Sequence, residues 1–274
     1  MQLSCYNIFM EHEGLKDKDE KLELPTTSAD RVCRFYLSDI LRRGRMEDVK
    51  NCIDKALKTQ PETYGSIEDF LSANPNYEEN VDETLDYKER LAVRSYSGYR
   101  FAWINSVARG FWDYEKMGRK TPELEEEIKS TTRDIISAIS KAPAPEKDFM
   151  TFRGTNLDGF QIYGIKDIKD LARMKGQFIL EQGFTSTAIV REKSFAERQV
   201  QDLWIGKSNV EMRYHIPAGA DNIIALTSED LSYSPEQTEV LIDHDSLSYI
   251  SDVNFDREGH AIVDAILIPR SIYE

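Results

Sequence analysis

Residues Tyr233-Ser-Pro-Glu-Gln-Thr-Glu-Val-Leu-Ile-Asp243 read as a loop that runs into a strand. Pro235 cannot donate to a sheet ladder, so it belongs before the strand. Val240, Leu241 and Ile242 are strand formers. Side chains alternate faces along a strand, which predicts Gln237, Glu239 and Leu241 on one face. Thr238, Val240 and Ile242 would take the other. An amide and a carboxylate would then project together from the lip of a sheet. Taken alone, the stretch fits an edge strand with a solvated polar face better than it fits a site. Two other stretches change that balance.

The whole chain sets bounds on what those stretches can do. Its 274 residues suffice for one large domain, or one domain with a helical appendage. An apolar fraction of 40%, with thirteen Tyr and twelve Phe, supports a packed core. A formal net charge of −14 repels phosphate backbones and disfavours a general nucleic-acid surface. A small basic pocket for a dianionic molecule stays compatible with it. Cys5, Cys33 and Cys52 show no metal-like spacing and no disulfide framework, which fits a reducing compartment. His12, His215, His244 and His260 are scattered, and His244 between Asp243 and Asp245 reads as a solvated turn. No metal is expected. No cationic start with an apolar run opens the chain, and no segment is apolar enough for a bilayer. Export would need a non-classical or injected route, and action in a host cytosol or in the cell of origin both stay open.

In chain order, Pro25-Thr-Thr-Ser28 offers a cap for a helix carrying Val32, Phe35, Tyr36 and Ile40, ended by Gly44. Met46, Val49, Ile53, Ala56 and Leu57 form a second apolar stripe. Residues 59–82, rich in Pro, Asn, Ser and Glu, read as a linker or long loop. Helical texture returns from Asp82, is interrupted at Tyr96-Ser-Gly-Tyr99, and continues through Phe101 to Arg109. Thr121-Pro122 caps a helix with Leu124, Ile128, Ile135 and Ile139 on one face, stopped by Pro143 and Pro145. Beyond Pro145 the texture is β. Expected strands are Phe149–Arg153, Gly183–Ile189, Val210–Ile216, Ile223–Leu226, Glu239–Ile242 and Ala261–Ile268. Helices near Leu171 and over Phe195–Leu203 would lie among them. Helices first and strands second predict α+β, with antiparallel sheets packed on one another.

Three stretches become informative together. Phe152-Arg153-Gly154 ends a strand with a guanidinium and a glycine that admits close backbone approach. Gly183-Phe-Thr-Ser-Thr187 is a strand of small hydroxyls, and Gln237-Thr-Glu239 follows. The planar, permanently charged Arg suits two phosphate oxygens at once. This order resembles the Arg-Ser-Glu class of mono-ADP-ribosyltransferases, and most closely the small Rho-modifying bacterial exoenzymes. The resemblance spans residues 86–270. It rests also on Tyr96-Ser-Gly, Ile104-Asn105 and Ala108-Arg109-Gly110, on Lys141-Ala-Pro-Ala-Pro-Glu146, and on Gly176-Gln-Phe178.

The resemblance implies two small antiparallel sheets packed roughly perpendicular, with N-terminal helices and NAD+ in the cleft between the sheets. It divides the chain into a helical region, 1–80, of no interpretable role and a catalytic domain, 81–274. It implies Glu239, Gln237 and Ser186 as catalytic residues. Arg153, Gly154, Arg109, Arg198, Thr187 and Arg100 would contact NAD+, which is substrate here. The loop Ser228–Glu236 would recognise the target, with Tyr233 as its aromatic. The implied partner is a target protein, such as a Rho-type small GTPase, met by a monomer. Two departures stand out. Ala188 replaces the third hydroxyl of the serine motif, and Arg100 lies two residues from the family's arginine, where this chain has Ala102. A neutral Gln237 favours an Asn or Gln acceptor over arginine, with threonine and guanine as further options. An NAD glycohydrolase and an inactive partner-binding relative remain alternative readings.

Overall fold

The computed structural model describes residues 37–40, 42–109, 121–194 and 210–274. Helix α1 (Met46–Lys58) buries Met46, Val49, Ile53 and Ala56, the expected stripe, but leaves Leu57 exposed. Residues 59–82 depart from the linker reading. They hold α2 (Ile67–Ala73) and much of α3 (Pro75–Thr84). Ser66 caps α2 by accepting the Asp69 N–H, and Pro75 starts α3. Phe70, Tyr77 and Val81 are buried, so sparse apolar anchors outweigh the polar composition. The helix expected before Gly44 lies mostly outside the described residues, although Gly44 does take a left-handed turn at φ +71°.

Helix α4 (Tyr87–Ser95) opens with a capping box between Asp86 and Glu89. Glu89 is buried and also accepts from Ser137 (2.6 Å) and Lys141 of α6 (Pro122–Lys141). One carboxylate therefore starts α4 and ties it to α6. A π-helical turn, Tyr96–Arg100, breaks the run at Gly98 before α5 (Phe101–Ala108). Thr121 caps α6 as the sequence predicts, by accepting the Leu124 N–H.

The strands are β1 (Phe149–Thr155), β2 (Phe178–Glu181), β3 (Thr185–Ala188), β4 (Val210–Ile216), β5 (Ile223–Ala225), β6 (Glu239–Ile242), β7 (Ser246–Phe255) and β8 (Ala261–Leu267). The six expected strands are present, and the α+β class holds. Two more, β2 and β7, complete the set. Strand order is β2-β7-β8-β4-β1-β3-β6-β5. The five strands ending at β1 and the three beginning at β3 meet through a single residue pair, Phe152 with Ala188. All ladders are antiparallel except β4–β8, which is parallel. The helical reading near Leu171 is realised as a 3₁₀ segment, Ile168–Met174. The helix expected over Phe195–Leu203 lies outside the described residues.

A large core joins α2–α6 to the sheet through Phe70, Ile104, Ile135, Phe149, Tyr214 and Leu241. A second cluster packs α1 with Phe178, Leu247, Ile266 and Tyr273. Tyr273 belongs to a last short helix, α7 (Arg270–Tyr273). No described helix is long and apolar enough to cross a membrane. Cys52 is a free thiol, and burial pushes its pKa up to about 11.

The turn at His244 is not solvated as the sequence reading expects. Asp243 is 1% exposed and accepts Arg270 on one oxygen, while its other oxygen meets His244 Nδ1 at 2.9 Å. Arg270 also donates to the His244 carbonyl at 2.7 Å. Burial alone would lower the His244 pKa, but its hydrogen bond to Asp243 and the nearby carboxylates raise it. This network holds α7 against the β6–β7 turn. Asp243→Ala strands a largely buried guanidinium. It should cost about 2–3 kcal/mol and lower the melting temperature by roughly 4–12 °C. A shift under about 2 °C by calorimetry would show that the network is no anchor.

Candidate active site

The chain beside Gly183 runs from β2 into β3, and alternation along β3 separates Ser186 from Thr185 and Thr187. Thr187 is buried, and its hydroxyl donates to the Val240 carbonyl at 2.9 Å. That fastens β3 to β6. Ser186, on the opposite face, hydrogen-bonds the Glu239 carboxylate. The β3–β6 register pairs Ala188 with Glu239 and Ser186 with Leu241. The Ser186 hydroxyl therefore reaches diagonally to a carboxylate two pairs along the ladder, on the same face.

Glu239 is 7% exposed. Burial raises its pKa above the ordinary glutamate value, opposed by the Ser186 hydrogen bond and the Arg153 charge. Arg153, on β1, lies beside the seam at Phe152, and its Nη1 faces the Ser186 carbonyl at 3.5 Å. Its neighbour Gly154 is buried in the β1–β4 ladder opposite Glu211. The structure thus brings Arg153, Ser186 and Glu239 together where the two strand groups meet.

Gln237 departs from the same-face expectation. It closes a 3₁₀ turn, Pro235–Gln237, and Thr238 takes a left-handed conformation at φ +52°. The strand begins only at Glu239, so alternation does not relate the amide to the carboxylate. Gln237 is partly exposed beside the buried Glu239.

Three residues from the helical layer complete the surroundings. Tyr96, in the π-helical turn, donates to the Phe184 carbonyl at 3.1 Å and accepts from Asn105 Nδ2 at 3.0 Å. Burial and the Glu239 charge raise its pKa, against the charges of Arg153 and Arg109. A Cβ built on Gly183 would lie 2.8 Å from Asn105 Oδ1 and 2.9 Å from Arg109 Nε. Glycine there lets α5 and the arginine after it approach the β2–β3 turn. Tyr96 and Asn105 stand in the sequence motifs without a predicted role. Their signal was the interrupted helix itself, which turns both residues inward. Glu181 carried no such signal, yet it accepts Tyr214 Oη at 2.7 Å and Thr185 Oγ1 at 3.0 Å.

Arg100 is not part of this cluster, since it pairs with Glu127 of α6. Arg198 lies outside the described residues. Tyr233 is 55% exposed, with its ring on the Arg94 guanidinium (4.7 Å) and against Gly98. Its backbone N–H donates to Ser97 Oγ at 3.0 Å. The loop before Gln237 is therefore tied to the π-helical turn while the Tyr233 side chain stays largely exposed. Among the described residues, no group of His, Cys, Asp and Glu is arranged to hold a metal ion.

No curated protein sequence matches the chain. Solved structures do match its fold. C3stau2 from S. aureus, solved with NAD, aligns with a TM-score of 0.57 at 17% identity, over 77% of this chain and 100% of that one. The C3 exoenzyme of Clostridium limosum aligns at 0.55 and 19% identity, over 77% and 98%. Plx2a, an ADP-ribosyltransferase toxin from Paenibacillus larvae, aligns at 0.53 and 20% identity, over 73% and 96%. The family model of the ADP-ribosyltransferase exoenzymes matches residues 73–269, which takes in every described part of the cluster. With that match over most of its length, the chain belongs to the ADP-ribosyltransferase exoenzyme family and is by class an NAD+-dependent mono-ADP-ribosyltransferase.

Proposed function

We propose that the chain cleaves NAD+ at the nicotinamide–ribose bond and transfers ADP-ribose to an Asn or Gln side chain of a target protein, a Rho-type small GTPase. One observation carries this reading. Glu239 is a buried carboxylate, oriented by a hydroxyl and faced by a guanidinium. Such a group holds negative charge where positive charge develops, with little reorganisation during the reaction. The glycosidic bond breaks dissociatively through an oxocarbenium-like ribose, so that charge is what the site must meet.

In this reading Arg153 holds phosphate or ribose, with the backbone at Gly154 allowing close approach. Arg109, beside Gly183, is a second phosphate contact. Ser186 fixes the Glu239 carboxylate, which accepts the ribose 2′-hydroxyl. Nicotinamide leaves as a neutral molecule with the bonding electron pair. The acceptor amide nitrogen then bonds to the ribose carbon and releases one proton. Gln237 faces that acceptor. Its neutral amide can pair with another amide but cannot take a proton from guanidinium. Tyr233, with its exposed side chain, meets the target. The resemblance to Rho-modifying exoenzymes supports the GTPase, and the amide at position 237 supports the acceptor type.

Labelling a purified Rho-type GTPase with NAD+ and locating ADP-ribose by mass spectrometry tests the acceptor. Modification of Asn or Gln is expected, and modification of arginine would overturn this assignment. Nicotinamide release with no labelled protein would favour the hydrolase. Glu239→Gln should lower NAD+ cleavage by about 100-fold or more while KM for NAD+ stays within a few-fold. Near-normal turnover in that variant would remove Glu239 from the mechanism. The ionised carboxylate is the working form, so cleavage falls as pH drops through its raised pKa. Ser186→Ala removes a hydrogen bond that lowers that pKa. The acid limb of the rate profile should move to higher pH. An unmoved limb would show that Ser186 does not act on Glu239.

A further inference from the structure

Thr238 stands between the two functional side chains and is the least ordinary backbone position near them. Its φ of +52° is left-handed, a region that β-branched residues rarely occupy. It is 2% exposed, so neither solvent nor a flexible surface explains the conformation. Three hydrogen bonds hold it. Its N–H closes the 3₁₀ turn on the Pro235 carbonyl at 3.0 Å. Its carbonyl accepts the Ile189 N–H at 2.9 Å, and its hydroxyl accepts the Val190 N–H at 3.3 Å. Ile189 and Val190 directly follow β3, the strand that carries Ser186.

We propose that Thr238 is a positioning residue of the transfer reaction: pinned in the left-handed region by the end of β3, it sets where the Gln237 amide and the Glu239 carboxylate stand relative to Ser186. The inference rests on the reading of Glu239 and Ser186 given above. The hydroxyl matters because it supplies a second bond from one residue to two consecutive amides. One bond would leave the turn free to pivot, whereas two fix its orientation. Glycine would adopt the same φ with less strain but would lack the hydroxyl pin. Strain relief and loss of positioning are thereby separable in one substitution.

The test measures nicotinamide release from NAD+ by the full chain in buffer, with kcat and KM resolved and melting temperature recorded. Thr238→Gly should fold with a melting temperature near that of the parent, keep KM for NAD+ within about two-fold, and lose kcat by about ten-fold or more. Thr238→Val, similar in shape but without the acceptor, should lose kcat similarly. Thr238→Ser, which keeps the hydroxyl, should restore kcat to within about three-fold of the parent. A kcat within about two-fold of the parent in Thr238→Gly would overturn the proposal. So would a loss shared by the serine variant, or one that only follows a collapse in melting temperature. Should Glu239→Gln leave cleavage intact, the reading of the site falls first, and Thr238 with it. A Glu239-dependent activity indifferent to the hydroxyl at 238 would sink this inference alone.

Discussion

The joint between Phe152 and Ala188 governs the rest of the structure. It is the one residue pair through which the five-stranded group ending at β1 and the three-stranded group beginning at β3 are joined. Arg153 follows Phe152, Ser186 lies two residues before Ala188, and Glu239 is the other cross-strand partner of Ala188. The cluster of Arg153, Ser186 and Glu239 is thus assembled within two positions of one backbone contact. A longer ladder between β1 and β3 would close the space where the strands part. A methyl side chain at 188, in place of a hydroxyl, also suits a residue with a strand on each side and 5% exposure.

The helical layer serves this joint from outside. Glu89 locks α4 to α6, and the π-helical turn then redirects the chain so that Tyr96 and Asn105 reach inward to Phe184 and Gly183. Phe184 in turn lies between the Tyr96 ring at 5.6 Å and the His244 ring at 5.4 Å. Helices, serine-bearing strand and the anchored β6–β7 turn are therefore in continuous packing contact. Tyr233 bonds to the same π-helical turn, so the loop before Gln237 and Tyr96, whose pKa the Glu239 charge raises, share one support.

Much of this was legible where periodicity and caps agree. The stripe of α1, the Thr121-Pro122 cap of α6 and the bounds of β6 follow from residue type and spacing. Strand β7 did not, because Ser246 and Ser248 look like solvent-facing positions but are fully buried. Helices α2 and α3 were hidden by polar composition, since a few anchors such as Phe70 and Tyr77 suffice to seat them. The relation of Gln237 to Glu239 failed for another reason. Alternation assumes extended backbone throughout, and a threonine gives no hint that it will adopt a left-handed conformation. Arg153, Ser186 and Glu239 were found through ordered motifs, but their meeting depends on pairings distant in sequence. Periodicity has no access to those.

The loop between β5 and β6 has its ends fastened close together. Ala225 pairs with Val240, and the Leu226 N–H donates to the Glu239 carbonyl at 2.8 Å. A segment with clamped ends tolerates changes of length at small entropic cost. Within residues 227–236, Leu231 and Ser232 are buried and the Pro235 carbonyl holds the Thr238 N–H, so only the outward positions Glu229, Asp230, Tyr233 and Glu236 stand clear of the clamped base. Drift in a lineage could accumulate at those four positions with the glutamate beneath undisturbed.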